Sequence, residues 1–146
     1  MHLILLFLAC SAGPDTPAAP LSEQASRGRS VYLQHCATCH QVDGAGLKGA
    51  FPPLAGSEWV SGEPRVLAKI VLNGLSGEIS VAGSRYNSVM LAHRDTLTDA
   101  QIADVLTYIR ADWGNRSAPV AAALVTGVRE ETAGRDGAWT AEELAR

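Results

Sequence analysis

Residues Cys36-Ala37-Thr38-Cys39-His40 constrain this chain more than any other stretch. Two cysteines three positions apart with a histidine directly after form the attachment signature of a c-type haem. The two thiols add to the two vinyl groups of a porphyrin, and His40 then lies against the ring centre and ligates the iron. The spacing matters because two linkers must match the porphyrin edge while the histidine reaches the metal. The chain has only three Cys in 146 residues, so a chance match is improbable. Other chemistries use the same residues. A redox dithiol normally sits in a βαβ context, which this sequence lacks. Zinc on Cys36, Cys39 and His40 wants a fourth ligand, for which His35 and His93 are candidates. A simple Cys36–Cys39 disulfide is the last.

An iron held by one histidine needs a sixth ligand or an open position. Apart from the initiator, Met90 is the only methionine, fifty residues after His40. It lies between Leu75 and Leu97, a stretch without convincing period. A loop of that length in a small domain asks for a ligand to hold it. A thioether on the iron favours the reduced state and raises the potential. His93 is the rival ligand, three residues on.

Composition fits a cofactor-centred core. Hydrophobic residues make 47% and charged residues 18%, which excludes a disordered acidic or basic chain. Only 5% is aromatic, thin for a core built from side chains alone, and 14 Gly with 7 Pro imply many loops. Such a domain needs a disulfide, metal or cofactor. A net charge of -3 without Lys/Arg blocks argues against nucleic acid as main partner.

The start reads as a targeting segment. Leu3 to Ala9 is apolar and far too short to span a bilayer as a helix of roughly 20 residues. Leu8-Ala9-Cys10 resembles a bacterial lipoprotein cleavage site, at which Cys10 is lipidated. The expected organisation is a signal peptide over 1–10, a Pro/Ala/Ser linker over 11–22, a folded domain over 23–114 and a helical tail over 115–146. The compartment expected is the periplasmic side of a bacterial membrane, where c-type haem is attached.

The fold class expected is all-α. Ser22 suits the N-cap of a helix over Glu23 to His35, with Gly28, Val31, Tyr32 and His35 on one face. Gly28 costs about 1 kcal/mol against Ala in a helix, but lets another helix cross closely. Pro64 opens a second helix that Asn73-Gly74 stops. Thr98-Asp99-Ala100-Gln101 is a capping box opening the clearest helix, with Gly114 as its stop. A tail helix is expected from Pro119 to about Ala133, and a second capping box begins at Thr140.

With these motifs in place, the sequence resembles the class I c-type cytochromes, monohaem electron carriers, from about Ser22 to Trp113. Gly28-Arg29-Ser30-Val31-Tyr32 matches the family's Gly-x-x-x-aromatic before the haem motif. The resemblance implies about three core helices around one covalent haem c. It places Val105 and Tyr108 where the last core helix crosses the first. It implies that Pro52, in Pro52-Pro53-Leu54, offers its carbonyl to the axial His40. The segments Pro52 to Val60 and Tyr86 to Met90 more closely resemble c-type subunits of bacterial dehydrogenases and oxidases. There a Pro usually follows the ligand Met; here Leu91 does.

The function implied is single-electron transfer between redox proteins, a membrane oxidase or periplasmic dehydrogenase, by His40/Met90-ligated haem without catalysis of its own. The alternatives are a haem enzyme or gas sensor with a displaceable sixth ligand, and a zinc or dithiol domain. Arg85 and Trp59 are candidate propionate contacts. The tail is expected to pack back on the domain.

Overall fold

Ser22 and Thr98 start the two helices that frame the molecule. In the computed structural model, which describes residues 21–146, the Ser22 hydroxyl accepts from the Ala25 N–H at 3.1 Å and opens α1 (Glu23–His35). The expected signal peptide, Cys10 and most of the expected linker lie outside the described residues. The capping box is formed: Thr98 Oγ1 accepts from the Gln101 N–H at 3.2 Å, and Gln101 Oε1 accepts from the Thr98 N–H at 3.0 Å. Two donors that the coming helix leaves unpaired are thereby satisfied. Between them in sequence lie α2 (Ala37–His40), α3 (Glu58–Ser61), α4 (Pro64–Asn73), strands β1 (Glu78–Val81) and β2 (Ser84–Asn87); after Thr98 come α5 (Asp99–Ala111), α6 (Ala122–Glu131) and α7 (Ala141–Leu144).

Helices α1 and α5 cross at Gly28. A Cβ there would stand 1.9 Å from the Asp104 carbonyl oxygen and 2.8 Å from Tyr108 Cβ. Only glycine lets the two backbones approach so closely. At Gly28 itself the nearest α5 atoms belong to Asp104 and Tyr108, one turn apart on the same face. Val105, expected there with Tyr108, joins the same core cluster and also lines the interior cavity. Arg27 flanks the crossing and donates to both Asp104 carboxylate oxygens, at 2.8 and 3.1 Å.

The helical class holds, with one addition. A two-stranded antiparallel sheet occupies part of the stretch where no strand was expected. Ile79 pairs with Tyr86, and Val81 with Ser84. Ile79, Val81 and Tyr86 are buried and their neighbours along the strands exposed, as period-two alternation requires. The turn places Ala82 (φ 47°) and Gly83 (φ 76°) in left-handed conformation, the arrangement that matches hairpin twist.

The tail packs on the domain. Helix α6 lies against α4 and α5, with Val125 and Val128 fully buried. It is shorter at both ends than expected. The Val120 N–H donates to Thr107 Oγ1 at 2.9 Å and the Val120 carbonyl accepts from Gln24 at 2.9 Å, which keeps the approach to α6 extended. Arg129 ties α6 to the start of α5, donating to Asp99 at 2.6 Å and to the Arg94 and Leu97 carbonyls at 2.6 and 2.9 Å.

Two apolar clusters result. One joins α1, α4, α5 and α6 around Tyr32, Leu72, Leu106 and Val125. The other gathers Ile70, Leu75, Ile79, Val81 and Tyr86, with Met90 and Trp139 against it. Side chains of both line one cavity.

Candidate functional site

Cys36, Cys39 and His40 sit at the end of α1 and on the single turn of α2. The turn is closed by the Cys39 and His40 N–H groups donating to the Cys36 carbonyl at 3.2 and 3.0 Å. All three side chains line one open cavity. The two thiols are not joined to each other. The chain leaves the turn at Gln41, in a left-handed conformation (φ 62°), whose carbonyl accepts from the Tyr32 hydroxyl at 2.5 Å. Tyr32 in turn packs its ring on Tyr108 and Trp113, with centroids 5.4 and 5.0 Å away. The helix crossing at Gly28 thus fixes the aromatic that anchors the far end of the motif.

The His40 ring is oriented by its neighbour loop. Nδ1 lies 2.9 Å from the Pro52 carbonyl oxygen. A carbonyl only accepts, so Nδ1 carries the proton and Nε2 is left as the lone-pair nitrogen. Burial lowers the His40 pKa, and the Pro52 hydrogen bond opposes that shift. The loop reaches this position because Gly46 (φ 65°) has no Cβ; one would stand 2.6 Å from the Pro52 oxygen.

Met90 comes to the same cavity from the loop after β2. Its backbone pairs with Leu75: the Leu75 N–H donates to the Met90 carbonyl at 3.1 Å and the Met90 N–H to the Leu75 carbonyl at 2.8 Å. Ser88 Oγ donates to the Ala50 carbonyl at 2.6 Å, tying the methionine loop to the loop that carries Pro52. His93 also lines the cavity. Burial, then the neighbouring His35, lower its pKa. Of the other candidates, Trp59 lines the cavity, but its indole N–H donates to the Ser80 carbonyl at 2.9 Å. Arg85 stands on the exposed face of the hairpin, 3.7 Å from Glu78.

The residues fit a large apolar prosthetic group with a metal centre. The cavity adjoins a second hollow on the side of Cys39 and Val89, and Cys36, His40, Pro52, Met90 and His93 line both. Apolar side chains form most of its wall. Two thiols, an oriented imidazole and a thioether reach it. The competing chemistries fit less well. Among the described residues no three His, Cys, Asp or Glu side chains converge to hold a metal ion by themselves, as a zinc site requires. Burial, then Cys39, push the Cys36 thiol up to about 11, the opposite of an activated redox dithiol.

A family model described as Cytochrome c matches residues 25–113. The chain belongs to the cytochrome c family. Its cofactor is covalent haem c, one per monohaem domain, and its activity is electron transfer. This cytochrome is 45% identical over 92 residues to cytochrome c-552 of Thermus thermophilus, covering 60% of this chain and 69% of that one. It is 36% identical over 107 residues to the cytochrome c subunit of the quinone alcohol dehydrogenase of Gluconobacter oxydans, covering 72% of this chain and 22% of that subunit. With the gluconate 2-dehydrogenase cytochrome c subunit of Pantoea cypripedii it shares 38% over 114 residues, 75% of this chain and 25% of that subunit. The chain therefore corresponds to about a quarter of those dehydrogenase subunits.

Three supports of this cytochrome's site have little or no signature in the sequence. Asn115 donates to the Leu54 and Ile109 carbonyls at 3.0 and 2.7 Å and accepts from the Gly56 N–H at 3.0 Å, pinning the segment after Pro52. Its position just past a helix-stopping glycine was the one available signal. Ser88 and the Leu75 pairing carry no local signature.

Proposed function

We propose that this cytochrome carries single electrons between redox proteins outside the cytoplasm, with the haem joined to Cys36 and Cys39 and the iron held by His40 and Met90. The observation that carries the proposal is the shared cavity. His40 presents its lone-pair nitrogen because the Pro52 carbonyl accepts from the Nδ1–H, and Met90 lines the same apolar space. The haem supplies a one-electron iron couple when bound. The chain's own residues supply ligand choice, orientation and exclusion of water. The Pro52 carbonyl keeps His40 in one tautomer and makes it a stronger donor. The apolar wall favours the less charged reduced state, in the same sense as the thioether.

Val89 and Leu91, 64% and 74% exposed, flank Met90 at the mouth of the cavity. They give a redox partner an apolar surface to dock on beside the haem. Dehydrogenase and oxidase complexes are the partners proposed, because the relatives include cytochrome subunits of dehydrogenases and a subunit of a cbb3-type oxidase. Lipid attachment at Cys10, on the periplasmic side of the membrane, would keep the domain near such partners. No helix among the described residues is long and apolar enough to cross a membrane.

Film voltammetry of the holoprotein tests the reading. One reversible one-electron wave, unchanged by peroxide, nitrite or carbon monoxide, is expected. A catalytic current, or a wave displaced by carbon monoxide, would favour a haem enzyme or gas sensor.

A further inference from the structure

The C-terminal tail reaches the backbone of the methionine loop through a single intermediate residue, Leu75. Leu75 is paired on both edges. On one side it forms an antiparallel bridge with Met90, and on the other a parallel bridge with Trp139. The Trp139 N–H donates to the Gly74 carbonyl at 3.0 Å, and the Trp139 carbonyl accepts from the Ser76 N–H at 2.8 Å. Gly74 (φ 83°) makes the ribbon possible, since a Cβ there would stand 2.5 Å from the Met90 carbonyl oxygen.

The Trp139 side chain is held as firmly as its backbone. The Arg135 guanidinium stacks 3.5 Å from the ring centroid, and Lys69 lies 5.1 Å from it. Arg135 is itself fixed by the Ala138 carbonyl at 2.9 Å and the Glu143 carboxylate at 2.9 and 3.1 Å. Glu143 closes the capping box of α7, accepting from the Thr140 N–H at 2.9 Å. The indole packs on the cluster of Ile70, Leu75 and Ile79 that Met90 also joins. Its N–H is buried with no partner among the described residues, so the ring acts by shape and π-surface.

We infer that Trp139 is a positioning residue for Met90, holding the backbone at Leu75 as the fixed edge against which the methionine loop closes. Leu91 follows Met90, so no proline stiffens the loop locally. The tail supplies from a distance the restraint that the loop sequence lacks. This inference rests on the assignment of Met90 as iron ligand.

The test compares four holoprotein variants: Met90→Ala, Trp139→Ala, Trp139→Phe and Val125→Ala. Val125 is a fully buried core residue of α6, remote from the ribbon in sequence, and serves as the control for general destabilisation. The readouts are the methionine–iron charge-transfer absorption of the oxidised protein, carbon monoxide binding by the reduced protein, and amide exchange at Leu75 and Met90. Measurements are made below every variant's melting temperature. Trp139→Ala is expected to weaken the absorption, admit carbon monoxide and speed exchange at both amides about tenfold, the loss of one cation–π stack and its packing. Trp139→Phe is expected to restore all three, and Val125→Ala to lower Tm while leaving them unchanged. If Trp139→Ala does not fold, Arg135→Ala removes the stacked cation alone and is expected to show the same changes in smaller degree. Wild-type absorption and amide protection in folded Trp139→Ala, or in Arg135→Ala where it alone folds, would overturn the inference, as would equal losses in Val125→Ala. An absorption that survives Met90→Ala would remove the ligand assignment and the inference together. Loss in Met90→Ala with none in the Trp139 variants would remove the inference alone.

Discussion

The Pro52 carbonyl oxygen lies 2.9 Å from Nδ1 of His40, twelve residues before it in sequence. That one contact assigns the ring tautomer and aims the other nitrogen into the cavity. It also sets the donor strength of the histidine, because a bonded Nδ1–H makes Nε2 more basic.

Gly46→Ala should disturb this contact without substituting either partner. The added Cβ would meet the Phe51 and Pro52 carbonyl oxygens at 2.4 and 2.6 Å, in a left-handed backbone (φ 65°). A stability loss of about 2 kcal/mol is expected. The reduction potential should rise, because a weakened Pro52 bond makes His40 a poorer donor to the oxidised iron. Potentiometric titration checks the sign; an unchanged or lowered potential would contradict it.

Gly28→Ala should break the helix crossing. Its Cβ has no room against the Asp104 backbone, 1.9 Å away. Since backbone atoms cannot rotate aside, a loss of about 3 kcal/mol is expected. A lowered denaturation midpoint with unchanged slope is the signature. A midpoint equal to wild type would mean that the helices do not meet there.

Cys36→Ser and Cys39→Ser should each leave the haem attached through one bond, and the double variant should lose it on acid–acetone extraction. Both side chains line the cavity, so either alone can hold the ring. Mass spectrometry of the intact chain reads the outcome. Retention of covalent haem by the double variant would contradict the attachment.

Asp99 makes stability pH-dependent. Burial pushes its pKa up, but hydrogen bonds from Thr126 at 2.7 Å and Arg129 at 2.6 Å outweigh that and hold it below the usual carboxylate range. A carboxylate depressed in the folded state adds stability above its unfolded pKa of about 3.9, and loses it as pH falls through the folded value. Asp99→Asn should therefore cost about 1 kcal/mol at pH 7. The difference from wild type should shrink below about pH 4. Urea titrations across that range decide; a constant difference would contradict the assignment.

Much of the frame was legible because its signals are local. Ser22 and Thr98 mark the starts of α1 and α5, and Pro64 with Gly74 bounds α4. The haem motif is five consecutive residues. The contact of Pro52 with His40 was an implication of family resemblance, since no local rule joins residues across a glycine-rich loop. The hairpin was hidden by its size. Only Ile79 and Val81 point inward on one strand and Tyr86 on the other, and Ala82 takes a turn position where Asn or Gly is usual. The approach of Trp139 to Leu75, and of Leu75 to Met90, is tertiary. Nothing near any of the three residues in sequence announces it.

The most direct test is the visible spectrum of periplasmically matured protein beside that of Met90→Ala. The wild type should give a low-spin c-type spectrum with the methionine–iron charge-transfer band when oxidised. The variant should keep its covalent haem, lose that band, bind carbon monoxide when reduced and show a lower potential. A variant spectrum identical to wild type would contradict the His40/Met90 assignment and move the sixth ligand to His93 or elsewhere.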